Sequence, residues 1–142
     1  MNILDLDNGD EAQDREVSAF LKDGFADESR ERAETVRHGW CFGIREGGVL
    51  KAVCRGYATS DAAYVGQLMV AAAARGSGYG RALMERVASF AAAEDLRYIY
   101  VDTMSYQVPV FYGKLGYVEI GRIENYNTDH DRIFFRKDVS KT

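Results

Sequence analysis

The sequence predicts an α/β (α+β) domain built on one mixed, mostly antiparallel sheet with helices on both faces. Three observations carry this expectation. Six short β-rich segments alternate with helical stretches. Two of the strand pairs are joined by turns short enough for hairpins. In mid-chain a strand, a glycine-rich turn, a helix and a second strand follow in direct succession, the order of a parallel crossover. At 142 residues the chain fits one domain, read as spanning 1–142.

In chain order, Asp10 to Gly24 reads as an amphipathic helix, with Val17, Phe20 and Leu21 on one stripe and Gly24 as its stop. A second helical piece is expected over Ala26–Val36. Trp40–Arg45 and Val49–Thr59 read as strands around a Gly47-Gly48 turn, a register that pairs Cys41 with Cys54. Ala63–Val70 is the next strand. Tyr79, Leu83, Val87 and Phe90 then recur at helical spacing to about Ala93. Tyr98–Asp102 is a further strand. Val108, Phe111, Tyr112 and Leu115 mark a short helix, with Pro109 in its first turn and Gly116 just past its end. Tyr117–Arg122 and Arg132–Lys137 close the chain as a hairpin with the polar tip Glu124–Asp131.

Composition narrows the function classes. A hydrophobic fraction of 46% with 28% charged residues is that of an ordinary globular protein. No apolar run is long enough to span a bilayer and the N-terminus carries acids, so neither a membrane span nor a signal peptide is expected, and the expected compartment is the cytoplasm. A net charge of −4 argues against nucleic acid as a partner. Residues 1–34 hold 11 acids and four bases. That excess suits either a solvated helix face or an acidic lip for a cationic amine. Cys41 and Cys54 have no metal-ligand spacing, no metal is expected, and a cytoplasmic location favours two reduced thiols.

The segment Arg75-Gly76-Ser77-Gly78-Tyr79-Gly80-Arg81 carries the strongest chemical signal. It stands between a strand and a helix start. The first N–H groups of a helix have no internal partner and concentrate about half a positive charge. Glycines let those groups close around a phosphate. Arg75 and Arg81 would oppose the helix dipole there, and a bound polyanion reverses that penalty. A structural turn with two solvated arginines is the plain alternative. A Walker loop is absent because no Gly-Lys-Ser/Thr follows. The dinucleotide fingerprint fails too. Arg81 stands where its third glycine belongs, five residues separate strand from glycines, and only 40 residues follow Asp102.

Arg75-x-x-Gly78-x-Gly80, five residues after Val70, resembles the acyl-CoA signature of the GNAT superfamily of N-acyltransferases. Phe111-Tyr112-Gly-Lys114-Leu-Gly116-Tyr117 resembles that family's second signature. The order of elements matches over about residues 10–138. The resemblance implies a sheet of about seven strands, splayed at its two parallel strands. It implies an N-acetyltransferase moving an acetyl group from acetyl-CoA, as co-substrate, to a primary amine by direct attack in a ternary complex. The backbone of Leu68, Met69 and Val70 would take the pantetheine arm. The amides of Gly76–Arg81 would take the pyrophosphate.

By the same resemblance Tyr112 is the general acid for the departing thiolate, a role open to a phenol that stays protonated at neutral pH. Spacing alone allows a core aromatic instead. Ser105 stands where the family often has a cofactor-binding asparagine, and Lys114 either reaches the cofactor's ribose phosphate or is a solvated helix lysine. Asp102 is the first candidate for the base, or a cap of the turn after its strand; Tyr64, Glu119 and His130 are weaker candidates. The acceptor, a small cationic amine, is expected between Phe25–Arg37 and the polar tip, with Tyr106 and Tyr126 against it. A homodimer is left open, as is a non-catalytic acyl-CoA-binding module.

Overall fold

A computed structural model of the chain describes residues 1–29 and 38–140, which divide into two units, Met1–Thr35 and Val36–Thr142. In the first unit Asp10 caps a helix. Its Oδ1 accepts the N–H groups of Ala12 and Gln13 at 2.9 and 3.2 Å, which satisfies two of the four orphan donors at the helix start. This helix, α1, runs Glu11–Ser29 and so passes the stop expected at Gly24. An internal glycine costs about 1 kcal/mol relative to alanine and does not by itself end a helix. The second helical piece therefore begins as a continuation of α1, and residues 30–36 of it lie outside the described residues.

The second unit holds a six-stranded sheet in the order β1-β2-β3-β4-β6-β5, with β1 His38–Glu46, β2 Val49–Ala58, β3 Ala62–Val70, β4 Tyr98–Met104, β5 Val118–Asn127 and β6 His130–Asp138. Neighbours pair antiparallel except β3 and β4. All six strands read from the residues are present. The seventh, implied by resemblance alone, is not among the described residues.

The β1–β2 turn forms as expected, with φ of 54° at Gly47 and 81° at Gly48, the left-handed values of a tight hairpin. The register does not hold to the far end. Arg45 faces Leu50 but Ile44 faces Ala52, so Lys51 is an extra residue on β2. Beyond this bulge Cys41 faces Arg55 and Cys54 faces Phe42. A one-residue slip changes the face of a side chain. Cys54 is buried, Cys41 is exposed, and both are free thiols, which corrects the expected Cys41–Cys54 pairing. The last hairpin also differs. Its strands extend to Asn127 and from His130, so the expected tip Glu124–Asp131 is mostly strand.

Helix α2 spans Tyr79–Ala93 and buries Leu83, Met84, Val87 and Ala91. These recur one turn apart and form one stripe. They meet Cys54, Val65, Ile99 and Val101, which are fully buried on one sheet face. Burying a side chain such as Val87 is worth about 1.5–3 kcal/mol. Helix α3, Pro109–Lys114, joins the same core through Tyr112. Its end is fixed by two hydrogen bonds, Gly116 N–H to Gly113 C=O and Tyr117 N–H to Tyr112 C=O, with Gly116 at φ 90°. This is a Schellman cap, and the aromatic contact between Tyr112 and Tyr117, 5.9 Å between centroids, completes it. Lys137 Nζ donates to Leu115 C=O at 2.8 Å, placing a cation at the negative end of the helix.

Gly56 is required by close approach. A Cβ there would stand 1.8 Å from the Tyr64 carbonyl oxygen and 2.9 Å from Trp40 Cζ2. A Cβ on Gly39 would meet nothing nearer than 3.7 Å. Gly56→Ala should therefore lower the unfolding free energy by about 2–3 kcal/mol or more, as overpacked sites do, while Gly39→Ala should stay within about 1 kcal/mol of the parent. Denaturant midpoints compare the two; equal midpoints would refute the packing argument.

Candidate functional site

The site starts where a ladder ends. The parallel pairing of β3 with β4 covers four residue pairs, from Ala62–Tyr98 to Val65–Val101. Beyond Val65, β3 runs on to Val70 against β2 alone. Gly66 is an extra residue there, because Gly56 faces Val65 and Arg55 faces Gln67, and a bulge bends its strand. Ala71 N–H donates to Lys51 C=O at 2.8 Å. Antiparallel alternation then turns the N–H and C=O of Leu68 and Val70 away from β2, toward the gap. Met69 faces Val53. Of the gap-side groups, Val70 C=O accepts Arg75 Nε at 3.2 Å.

From this edge the chain makes a 3₁₀ turn, Ala72–Ala74, not read from the sequence, and enters the glycine loop. Gly76 and Gly78 have φ of 81° and 83°, and a Cβ at either would meet nothing within 4 Å, so conformation alone requires glycine. Gly78 is the N-cap of α2 without a side-chain cap, and the first turn holds no acid. The first helical bond is Ala82 N–H to Gly78 C=O, so the amides just before it are free of helical acceptors. Arg75, Ser77 and Arg81 are exposed beside them. Gly80 has a different reason. A Cβ on it would come within 3.2 Å of the Phe111 ring, so its absence lets α3 sit against the start of α2.

Tyr112 is 8% exposed and is boxed by Phe111, Tyr117 and Phe135 at centroid distances of 5.1, 5.9 and 5.9 Å. Burial, then the neighbouring Cys54 and Asp102, push the pKa of its hydroxyl up to about 12. It is a core aromatic, and a phenol that holds its proton firmly. Burial similarly raises the Cys54 thiol to about 12.

Asp102 lies on the opposite face, since Val101 and Thr103 take the buried positions of β4. It is not a free carboxylate. Tyr64 Oη donates to Oδ1, and Arg132 Nε donates to Oδ2 at 2.9 Å. Tyr64 is in the paired part of β3, opposite Tyr100, and Asp102 is the first residue of β4 past the ladder, so this bond joins the two strands at the mouth of the gap. Burial and the bond to Asp102 raise the Tyr64 hydroxyl to about 12.

The remaining candidates are placed less favourably. Ser105 Oγ accepts Asp131 N–H at 3.0 Å and so extends the β4–β6 pairing. Lys114 is exposed in the last turn of α3, where its charge suits the helix dipole. Glu119 is paired with Arg122, and His130 lies edge-on to Tyr106 at 4.8 Å. Asp131, an acid expected to draw a cationic acceptor, pairs with Arg122 at 3.0 Å, and Tyr126 lies beneath Arg132. Residues 30–37 of the expected acceptor wall are outside the described residues. What the sequence reading missed is the face itself. Tyr57, Tyr64, Tyr100 and Tyr98 form a row with ring centroids 5.0, 4.8 and 6.1 Å apart. Alternation in Tyr98-Ile-Tyr100-Val-Asp102 and Arg132-Ile-Phe134-Phe-Arg136 was the available signal. Among the described residues no group of three or more His, Cys, Asp or Glu could hold a metal ion, and no helix is long and apolar enough to cross a membrane.

A family model described as acetyltransferase (GNAT) family matches residues 3–117. No curated protein matches the chain. Among solved structures, an acetyltransferase from Bacillus cereus superposes with a TM-score of 0.82 at 22% identity, covering 95% of this chain and 97% of that one. An aminoglycoside 6'-N-acetyltransferase complexed with coenzyme A covers 100% and 99%, with a TM-score of 0.67 at 16% identity. A GNAT family acetyltransferase from Elizabethkingia anophelis with acetyl-CoA bound covers 70% and 76%, with a TM-score of 0.63 at 15% identity. At these identities the likeness is one of fold.

The raised groups give a pH test. Cys54 and Tyr112 move up from ordinary values of 9.0 and 10.0 to about 12. A folded state that binds its protons more tightly than the unfolded one loses stability as pH rises between the two values. Denaturant unfolding should show stability unaffected by these groups below pH 9 and declining from there toward pH 12. A curve flat across that window would contradict the burial described.

Proposed function

The chain belongs to the acetyltransferase (GNAT) family, and from that premise we propose that it transfers an acetyl group from acetyl-CoA to a primary amine that arrives as an ammonium ion, by direct attack in a ternary complex. One observation carries this reading. The unpaired edge of β3 at Leu68–Val70 leads within one short loop to the uncapped amides of α2, so a strand-like arm and a diphosphate can be held by one continuous stretch of backbone. The whole chain, 1–142, is read as one such domain.

In this reading the amides of Gly76–Arg81 hold the pyrophosphate, aided by Arg75 and Arg81. The gap-side N–H and C=O groups of Leu68 and Val70 pair with the pantetheine amides in the manner of an added strand. Arg75, seen on Val70 C=O, would leave that carbonyl to the arm and turn to the phosphates. A gap-side N–H also polarises the thioester carbonyl and stabilises the oxyanion as the amine nitrogen bonds to the carbonyl carbon. When the carbon–sulfur bond breaks, Tyr112 gives its proton to the sulfur, and its firm hold on that proton beforehand keeps it in the acid form at neutral pH. Asp102, across the gap on the other face, is assigned the ammonium's proton through water. Its two bonds leave lone pairs free on both carboxylate oxygens, though they make it an oriented partner more than a mobile base. Ser105 and Lys114 are secondary contacts at most.

Tyr112→Phe keeps the ring in its box and removes only the hydroxyl. Thiol release from acetyl-CoA across an amine panel should fall by about 10²–10⁴-fold in kcat with the thermal midpoint nearly unchanged. Undiminished turnover would remove Tyr112 from the mechanism. Coenzyme A binding without acetylation of any amine would favour a binding module instead.

A further inference from the structure

On the tyrosine-bearing face a groove of about 570 Å³ crosses β1, β2 and β3. Its floor is bare backbone at Gly39, Gly56 and Gly66, one glycine from each strand. Gly56 is explained by the Tyr64 carbonyl and the Trp40 ring. Gly66 is the extra residue of the β3 bulge, and Gly39 is not explained by the fold. A Cβ on Gly39 would be 3.7 Å from its nearest neighbour and one on Gly66 3.5 Å, both ordinary contacts, and neither residue has a positive φ. Glycine inside a strand weakens it and often marks a place where something approaches the backbone closely. A side chain at either position would occupy the groove.

The one charged group at this floor is a cation. Arg55 is held by Gln67, whose Oε1 accepts Nε at 2.6 Å. The outer guanidinium nitrogens have no carboxylate partner among the described residues, and no acid lines the groove. Trp40 borders it from the other side of the sheet, where its ring packs on Phe42 and on Phe90 of α2. Its Cζ2 lies directly beneath Gly56, since that is the ring atom a Gly56 side chain would strike. One cation and no anion suit a carboxylate. At its other end the groove reaches Gly66 and Gln67, where β3 parts from β4.

We propose that this groove holds the acceptor, and that the acceptor is an amine bearing a carboxylate, an amino acid or short peptide with a free N-terminus. Arg55 takes the carboxylate, and the amino end points to the gap at Gly66. The volume is within the range of small-molecule sites and has room for a dipeptide. This deepens the transferase reading and rests on it for the identity of the ligand as acceptor. The ammonium supplies the positive charge expected of the substrate, and the groove adds the requirement for a negative one.

Trp40 is the sole tryptophan, so its fluorescence reports occupancy without turnover. We would titrate a panel of dipeptides, each against its C-terminal amide and with a polyamine as control, in the presence of coenzyme A. The free dipeptides should half-saturate at concentrations at least about tenfold lower than the amides. Arg55→Met should erase that ratio, Arg55→Lys should retain part of it, and Gly39→Ala should weaken both ligands alike with an unshifted thermal midpoint. Amides or the polyamine binding as tightly as the free dipeptides, an unchanged ratio in Arg55→Met, or no response to any ligand would overturn the assignment. Should the ratio hold while thiol release shows no acetylation, the transferase reading fails and the carboxylate site stands.

Discussion

The ending of the β3–β4 ladder after Val65 and Val101 is the constraint on which the site depends. A parallel pair that stayed zipped to Val70 and Met104 would occupy the N–H and C=O groups of Leu68 and Val70. Buried or half-buried backbone groups require partners, and an unpaired strand edge is a template for whatever can supply them. The parting has local causes. Gly66 is the extra residue of a bulge against β2, and β2 and β3 approach so closely at Gly56 that no Cβ fits. The bond from Tyr64 to Asp102 then bridges the two diverging strands on one face.

Period-two alternation divides the labour between the faces. Ile99, Val101 and Thr103 turn into the core under α2 and α3, while Tyr98, Tyr100 and Asp102 turn the other way. Tyr112 belongs to the core side, and the contacts that bury it are also those that raise its pKa. Its position is overdetermined. Pro109 starts its helix, the Schellman cap at Gly116 ends it, and Lys137 closes the last carbonyl. Phe111, one residue earlier, reaches Gly80 and so couples the helix that presents the phenol to the turn that presents the amides.

Much of this was legible in the residues. The limits of α2 were given by Gly78 and the spacing of Leu83, Val87 and Phe90, and those of α3 by Pro109 and Gly116. The parts that were not legible are those set by tertiary pairing. Lys51 carries no mark of a bulge, yet it moves Cys41 and Cys54 to opposite faces. Gly24 has the composition of a stop, but no αL conformation follows and the helix continues. Asp102 reads as a free carboxylate until Tyr64 and Arg132, 38 and 30 residues away in sequence, are brought to it. Arg55 and Gly39 carried no signal at all, because a groove floor exists only once three strands lie side by side.

Backbone amide hydrogen exchange with and without acetyl-CoA tests the central claim most directly. The account predicts slowed exchange at the amides of Leu68 and Val70 and over Gly76–Arg81, with no comparable change along the outer strand β5. Exchange at those positions that is indifferent to saturating acetyl-CoA, or protection confined to other elements, would contradict it.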